Sequence, residues 1–130
     1  MVLDASAVLE IVLGTGVGSR LRRRILAGNE SLHSPHLVDV EVAHVLRRYA
    51  IAGELSELRG RSALADLADM AITRYPHDRF LHRVWQLRDN LTGYDATYIA
   101  LAEALGAPLV TSDRRLALAP GHRAAVDLLE

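Results

Sequence analysis

Two acidic residues of this sequence each follow a short apolar run. Asp4 follows residues 1–3, and Asp113 comes just after residues 108–111. Both runs have the length and composition of buried strands. In open sheets of parallel strands, ligands bind beyond the carboxyl ends of the strands. If both runs belong to one parallel sheet, the two carboxylates lie at the same edge of it.

Two further acids fall on the apolar faces of predicted helices. Glu41 is three residues after Val38 and four before Val45, so it shares their face. Asp95 aligns with Ile99 in a helix that is apolar on nearly all sides. A carboxylate that faces the core is costly unless it is paired or bound to a metal, and the sequence contains no lysine. Oxygen-rich carboxylate sites suit hard cations such as Mg²⁺ or Mn²⁺. The four acids therefore predict a divalent-cation site.

Each acid also has a purely structural explanation. Asp4, Asp95 and Asp113 could each cap a helix or a turn, and Glu41 could pair with a buried arginine. Taken singly, these explanations outweigh the metal site. Taken together, they require four separate coincidences that place acids at one edge of the sheet, which favours the site.

Two other motifs offer different chemistry. Residues 41–44 match the Glu-x-x-His of di-iron proteins, but that site is built on a four-helix bundle, and the elements expected here alternate between strands and helices. The loop of residues 14–19 follows an apolar run and precedes a predicted helix, as phosphate-binding turns do. It lacks the lysine of a Walker motif, and Ser19 occupies the third dinucleotide-binding glycine position. A non-catalytic nucleotide-binding module that uses Gly14 to Gly18 remains the alternative from another class.

The composition indicates what class of protein this is. The chain has 130 residues, of which half are hydrophobic, so we expect a single domain over residues 1–130 with its own core. The absence of cysteine excludes a disulfide framework, a thiol nucleophile and a cysteine zinc site. The net charge is −1, and all fifteen basic residues are arginine. Their clusters at 20–24, 47–48 and 114–115 permit a nucleic-acid partner without requiring one.

The start of the chain does not have the features of a targeting segment. It carries Asp4 and Glu10 and no basic residue, whereas a signal peptide begins with positive charge. No stretch approaches the ~20 apolar residues of a membrane span. We therefore expect a cytoplasmic protein.

Hydrophobic periodicity predicts alternating strands and helices. Strands are expected at residues 1–3, 31–33, 72–75, 108–111 and 124–128, and helices at 19–27, 37–50, 78–90 and 92–105. Residues 7–13 fit a short helix or a strand. A further helix opens at Ser56, with its apolar face expected at Leu64, Leu67, Ala68 and Ala71. The alternation predicts an α/β fold: a three-layer sandwich with a mainly parallel central sheet and helices on both faces.

Four segments of the sequence resemble the PIN-domain ribonucleases and, more narrowly, the VapC toxins of bacterial toxin–antitoxin pairs. These segments, in chain order, are residues 2–7 (VLDASA), 39–46 (DVEVAHVL), 91–102 (LTGYDATYIALA) and 109–113 (LVTSD). The resemblance covers nearly the whole chain. It implies Mg²⁺ or Mn²⁺ held by Asp4, Asp95 and Asp113, with Glu41 contributing directly or through water. Ser6 matches a hydroxyl that supports the first acid. Ala5 departs from the serine or threonine common in the family, and with Ser6 kept we expect no loss of activity.

The resemblance also implies an activity and partners. The expected reaction is hydrolysis of RNA by water, which leaves a 5′-phosphate and a 3′-hydroxyl; a related nuclease acting on DNA is the alternative. Arg88, Arg114 and Arg115 are candidates for binding RNA phosphates or stabilising the charged transition state. The family further implies a homodimer and a cognate antitoxin that inserts a segment into the acidic groove.

Overall fold

The computed structural model describes all 130 residues, Met1–Glu130. One five-stranded sheet lies at its centre, with the strand order β3-β2-β1-β4-β5 and every neighbouring pair parallel. The strands are β1 Val2–Leu3, β2 Leu32–Pro35, β3 Ile72–Tyr75, β4 Leu109–Thr111 and β5 Val126–Leu128. The predicted parallel sheet is confirmed, and each predicted strand is present with shifts of one or two residues at its ends.

Seven helices flank the sheet. They are α1 Ala5–Val12, α2 Gly16–Gly28, α3 Leu37–Ile51, α4 Glu57–Asp69, α5 Leu81–Gln86, α6 Gly93–Leu105 and α7 Arg114–Leu118. α1 packs with α2, α3 and α4, whereas α6 packs with α5, and both α1 and α6 contact β1 and β4. The helices thus form two groups around the central strands. None of them combines the length and apolar character needed to cross a membrane.

The centre of the sheet contains the most deeply buried residues. Val2 and Leu3 of β1 are inaccessible to solvent and pair with residues of β2 and β4, since Val2 is in register with His33 and Leu109. α6 covers these strands with seven consecutive buried residues, Ala96 to Ala102, as its apolar composition predicts. Because β1 is central and ends at Leu3, the residue that follows it emerges in the middle of the carboxyl edge of the sheet.

The apolar face predicted for α4 is correct at Leu67 but wrong at Leu64, Ala68 and Ala71. Ala63 and Leu67 are the buried residues of this helix, whereas Leu64 and Ala68 are exposed. Alanine and leucine occur on two adjacent faces of α4, so periodicity alone does not separate them. The helix packs against α1 and α3, and the small side chain of Ala63, fully buried, points towards that contact.

The predicted helix at residues 78–90 is also shorter than expected. A single 3₁₀ turn at Asp78–Phe80 precedes α5, which ends at Gln86. Beyond it the backbone forms tighter bonds, including Arg88 N to Trp85 O at 3.3 Å and Asn90 N to Leu87 O at 3.1 Å. These bonds span three residues and not four, so the α-helix does not continue to Asn90.

The glycine-rich loop is explained by helix packing. Thr15 caps α2, because its Oγ1 accepts a hydrogen bond from Gly18 N at 2.9 Å. A Cβ atom placed on Gly18 would lie 1.9 Å from the carbonyl oxygen of Glu10, so glycine is required where α2 meets α1. The amides of Gly14 and Thr15 donate to the carbonyls of Ile11 and Glu10. The backbone amides of Gly14, Thr15 and Gly18 are therefore already used within the fold.

Candidate active site

Asp4 connects the central strand to the first helix. It is the N-cap of α1, and its Oδ1 accepts hydrogen bonds from Ala7 N at 2.9 Å and from Ser6 Oγ at 2.6 Å. Its Oδ2 accepts a hydrogen bond from the Thr111 hydroxyl. Only 5% of the residue is exposed, and burial raises the pKa of Asp4, with these hydrogen bonds opposing the rise and the charge of Asp95 adding to it. The capping explanation is correct for this residue, but it does not account for such deep burial.

Two hydroxyl groups tie Asp4 to the end of β4. Thr111, the fully buried last residue of β4, also accepts a hydrogen bond from Asp113 N at 2.9 Å. Ser6 Oγ accepts one from Ser112 N at 2.9 Å. This network joins β1, α1 and the β4–α7 connection, and it confirms a supporting contact from Ser6 to Asp4. The sequence analysis missed Thr111, for which the available signal was a polar residue at the end of an otherwise apolar strand.

Asp113 lies beyond the end of β4, at the same edge of the sheet as Asp4. It is exposed and caps α7, accepting a hydrogen bond from Arg115 N at 2.8 Å. The short helix α7 was not predicted. The capping role considered for this residue is therefore present as well.

Asp95 lies in the first turn of α6. Thr92, the N-cap of this helix, accepts a hydrogen bond from Asp95 N at 3.2 Å, so the predicted helix start is confirmed. The carboxylate is half-buried, and its pKa is raised mainly by burial and then by the charge of Asp113, with the Thr92 hydroxyl opposing the rise. Asp95 therefore lies within electrostatic range of Asp113, although the two residues belong to different elements.

Glu41 is a partly buried acid whose pKa is strongly raised. Burial raises its pKa from 4.5 to about 7, and the charges of Asp95 and Asp4 add to the rise. Its Oε1 is buried without a hydrogen-bond partner. The hydroxyl of Tyr98 is near enough to moderate the pKa but forms no hydrogen bond of normal geometry. No arginine pairs with Glu41, so the ion-pair explanation for this residue is wrong.

Tyr98 is a second buried polar group that the sequence analysis did not identify. It lies on α6 one turn after Asp95, and 1% of it is exposed. Its hydroxyl has no hydrogen-bond partner. Burial and the neighbouring carboxylates raise its pKa, so the hydroxyl stays protonated and can donate to an oxygen such as that of Glu41.

The structure brings the four acids into one electrostatic neighbourhood. The charge of Asp95 raises the pKa values of both Asp4 and Glu41, and the charge of Asp113 raises the pKa of Asp95. No three acidic or imidazole side chains converge tightly enough to form a metal-ligand cluster. The carboxylate set nevertheless fits a hard divalent cation by its donor chemistry, and Glu41 Oε1 is a buried acceptor that still lacks a partner.

The arginines that follow or surround these acids have contacts of their own. Arg114 and Arg115 open α7 directly after Asp113, and Arg114 pairs with Glu130 at 3.2 Å at the exposed surface. Arg88 lies over the ring of Trp85, 4.6 Å from its centroid, and donates to Trp85 O at 2.9 Å. Only the guanidinium of Arg115 is free of hydrogen bonds among these three. A role for any of them in RNA binding stays a prediction.

Comparison with known proteins agrees with this architecture. The sequence matches the family described as PIN domain over residues 1–121. It is 45% identical to ribonuclease VapC1 of Mycobacterium tuberculosis over 129 residues, which covers 98% of this chain and 96% of that protein. It is 47% identical to ribonuclease VapC9 of the same organism over 116 residues, which covers 89% of this chain and 87% of that protein.

A solved structure has a similar fold. PAE2754 from Pyrobaculum aerophilum superposes with a TM-score of 0.71 and 26% sequence identity, covering 98% of this chain and 82% of that one. The sequence match spans most of the chain, and the parallel sheet with its acidic carboxyl edge is present. The chain therefore belongs to the PIN-domain family and, within it, to the VapC-type proteins.

Proposed function

We propose that this chain is an endoribonuclease of the VapC type that hydrolyses RNA phosphodiester bonds with the help of Mg²⁺ or Mn²⁺. The observation that carries the proposal is the group of four acids near the carboxyl edge of the sheet, where burial and neighbouring charges raise the pKa values of Asp4, Glu41 and Asp95. Its relatives VapC1 and VapC9 are both named ribonucleases, which favours RNA over DNA as the substrate.

Asp4, Glu41, Asp95 and Asp113 would hold the cation. A bound divalent cation lowers the pKa of a coordinated water and polarises the scissile phosphate. Asp4 Oδ1 already accepts two hydrogen bonds and Oδ2 accepts one, so Oδ2 is the oxygen with a lone pair to spare. The network around Asp4 fixes this oxygen in place, which is what a preorganised ligand requires.

Glu41 contributes directly or through a water molecule at Oε1. This atom is buried and has no partner, so it can accept a hydrogen bond or a proton from water. A pKa of about 7 is near the value that suits general acid–base chemistry at neutral pH. Asp95 and Asp113 supply charge at the exposed side of the site, where the substrate phosphate would approach.

The proposal extends to partners. As a VapC-type protein, the chain would act as the toxin of a type II toxin–antitoxin pair in the cytoplasm, with RNA as its substrate, a cognate antitoxin as its inhibitor and a second copy as its dimer partner. Four clustered carboxylates suit an inserted basic segment of the antitoxin, because opposite charges favour such an interface. Arg88, Arg114 and Arg115 remain candidates for contacts with RNA phosphates.

The direct test is cleavage of labelled RNA by the purified chain, with Mg²⁺, with Mn²⁺ and with EDTA. We expect cleavage only with metal, and a loss of about 100-fold or more in both Asp4→Asn and Asp95→Asn. Asp66→Asn, an exposed acid on α4, is the matched control and should keep full activity. Near-wild-type rates in both site variants would contradict the four-acid site, and equal cleavage of a DNA of the same sequence would contradict the choice of RNA.

The toxin assignment has a separate test in cells. Expression of the chain alone should arrest the growth of a bacterial host, and co-expression of the small protein encoded beside it should restore growth. A chain that is folded, loaded with metal and harmless would refute the toxin role while leaving the nuclease intact.

A further inference from the structure

A cleft lies beside the four acids. Its volume is about 390 Å³, and it is lined by Val40, Glu41, His44, Val45 and Tyr94. Glu41 belongs both to this cleft and to the acidic site, and Tyr94 directly precedes Asp95 in α6. A group that occupies the cleft is therefore next to anything bound at the carboxylates.

Two side chains of this cleft are unusually exposed for their type. Tyr94 is 65% exposed and Val40 is 72% exposed, and neither is needed by the core. His44 is exposed on α3, and it forms no hydrogen bond or ion pair. The structure thus leaves an aromatic face, two aliphatic walls and an imidazole open to solvent beside a polar site, where the fold does not require them.

The charge of the cleft indicates what it can bind. Its only carboxylate is Glu41 and no arginine lines it, so a phosphate in the cleft would be repelled. A flat, neutral and partly apolar group meets no such penalty. At the small end of the range for ligand pockets, the cleft has room for one nucleoside-sized group.

We propose that this cleft binds the base of a nucleotide adjacent to the scissile phosphate. Tyr94 supplies the stacking surface, since aromatic rings bind unpaired bases of any identity through their faces. His44 can donate or accept a hydrogen bond at the edge of the base, and Val40 and Val45 exclude water from its sides. The inference rests on the proposed function, because it assigns the base of the same substrate whose phosphate meets the acids.

The test compares kcat and KM for a short single-stranded RNA that the wild type cuts at one bond. Tyr94→Ala should raise KM by about 5- to 100-fold, because it removes the stacking surface, whereas Tyr94→Phe should stay within about twofold of wild type. Leu58→Ala is the control, since Leu58 is 75% exposed and lies outside the cleft. Truncation at an exposed position should leave the thermal midpoint unchanged, which circular dichroism checks.

Abasic substrates make the test specific for a base. An RNA that lacks one base, in turn at each nucleotide flanking the cut, should bind wild type and Tyr94→Ala equally well when the missing base is the one that occupies the cleft. If the loss caused by Tyr94→Ala is the same on every abasic RNA, or if Leu58→Ala has an equal effect, the inference is wrong.

Two further results distinguish this inference from its alternatives. If the wild type cuts no RNA, the proposed function fails, and fluorescence anisotropy then tests the cleft by itself. A short single-stranded RNA and its variants that lack one base at each position in turn are bound to wild type and to Tyr94→Ala. A base-dependent difference in Kd supports the inference, and no difference overturns it. Tyr94→Ala could instead dissociate a dimer in sedimentation velocity and weaken the binding of intact and abasic RNA equally. In that case the cleft is covered by a second copy of the chain, and the inference is overturned.

Discussion

The raised pKa of Glu41 makes the stability of the metal-free protein depend on pH in a defined direction. Burial and two neighbouring charges raise this pKa from 4.5 to about 7, so the folded state holds the proton more tightly than the unfolded chain does. Stability is therefore greatest below pH 4.5 as far as this group is concerned, and it falls as pH rises to about 7. Each pH unit in that window is worth up to about 1.4 kcal/mol. Because the side chain is only partly buried, solvent screening reduces the expected loss to about 1–2 kcal/mol by pH 8.

Glu41→Gln isolates this contribution, because glutamine resembles the protonated acid and does not titrate. In EDTA, wild type and Glu41→Gln should have similar free energies of unfolding at pH 4.5, and the variant should be more stable by about 1–2 kcal/mol at pH 8. Urea unfolding between pH 4.5 and 8 measures the difference. Glu54→Gln, an exposed acid without an ion pair, should give a flat difference. A difference between wild type and Glu41→Gln that stays constant within about 0.5 kcal/mol across the range would refute the reasoning.

Three other variants and one matched control test the site and the packing of the fold. Asp95→Asn removes a charge that repels its neighbours, so in EDTA its thermal midpoint should equal or exceed that of wild type. Mn²⁺ at a hundredfold excess over Kd should raise the midpoint of wild type by on the order of 10 °C and that of Asp95→Asn by little; a clearly less stable variant in EDTA would mean that Asp95 is mainly structural. Gly18→Ala should cost more than about 2 kcal/mol in urea unfolding, because its Cβ would lie 1.9 Å from Glu10 O, whereas Gly16→Ala meets only a flexible side chain at 3.7 Å and should be tolerated. Tyr98→Phe deletes a buried hydroxyl without a partner, so it should not lower the free energy of unfolding, and a loss above about 1 kcal/mol would show a hydrogen bond that the structure lacks.

The central strands could be predicted from the sequence because both of their faces are covered. Val2, Leu3, Leu109 and Val110 are all inaccessible to solvent, and buried parallel strands are continuous apolar runs. The burial phase of α4 could not be predicted, since its apolar residues lie on two adjacent faces and contacts with α1 and α3 determine which is buried. Such contacts depend on distant segments, which local periodicity does not report.

The candidate site was predictable where chain position alone carried the information. Asp4 and Asp113 follow strands, and Asp95 opens a helix, so each could be located before the fold was known. Thr111 and Tyr98 could not be identified in that way. A threonine at the end of a strand and a tyrosine in an apolar helix are both ordinary residues, and Thr111 gains its role only by meeting Asp4, which is 107 residues away in the chain.

The hydrogen bonds that converge on Asp4 predict which mutations would let cells survive expression of this protein. Loss of its carboxylate would leave one backbone amide without an acceptor, and of the Ser6 and Thr111 hydroxyls only one could then donate to the other. This loss would loosen α1 from β4. No backbone amide depends on the carboxylate of Asp95. Bacteria that survive forced expression should therefore carry one of two kinds of mutation. Cells with a substitution at Asp95 accumulate an intact but inactive protein. Cells with a larger change at Asp4 accumulate little of the protein, because proteases degrade it. Immunoblots of such survivors would separate the two kinds without any assay of catalysis.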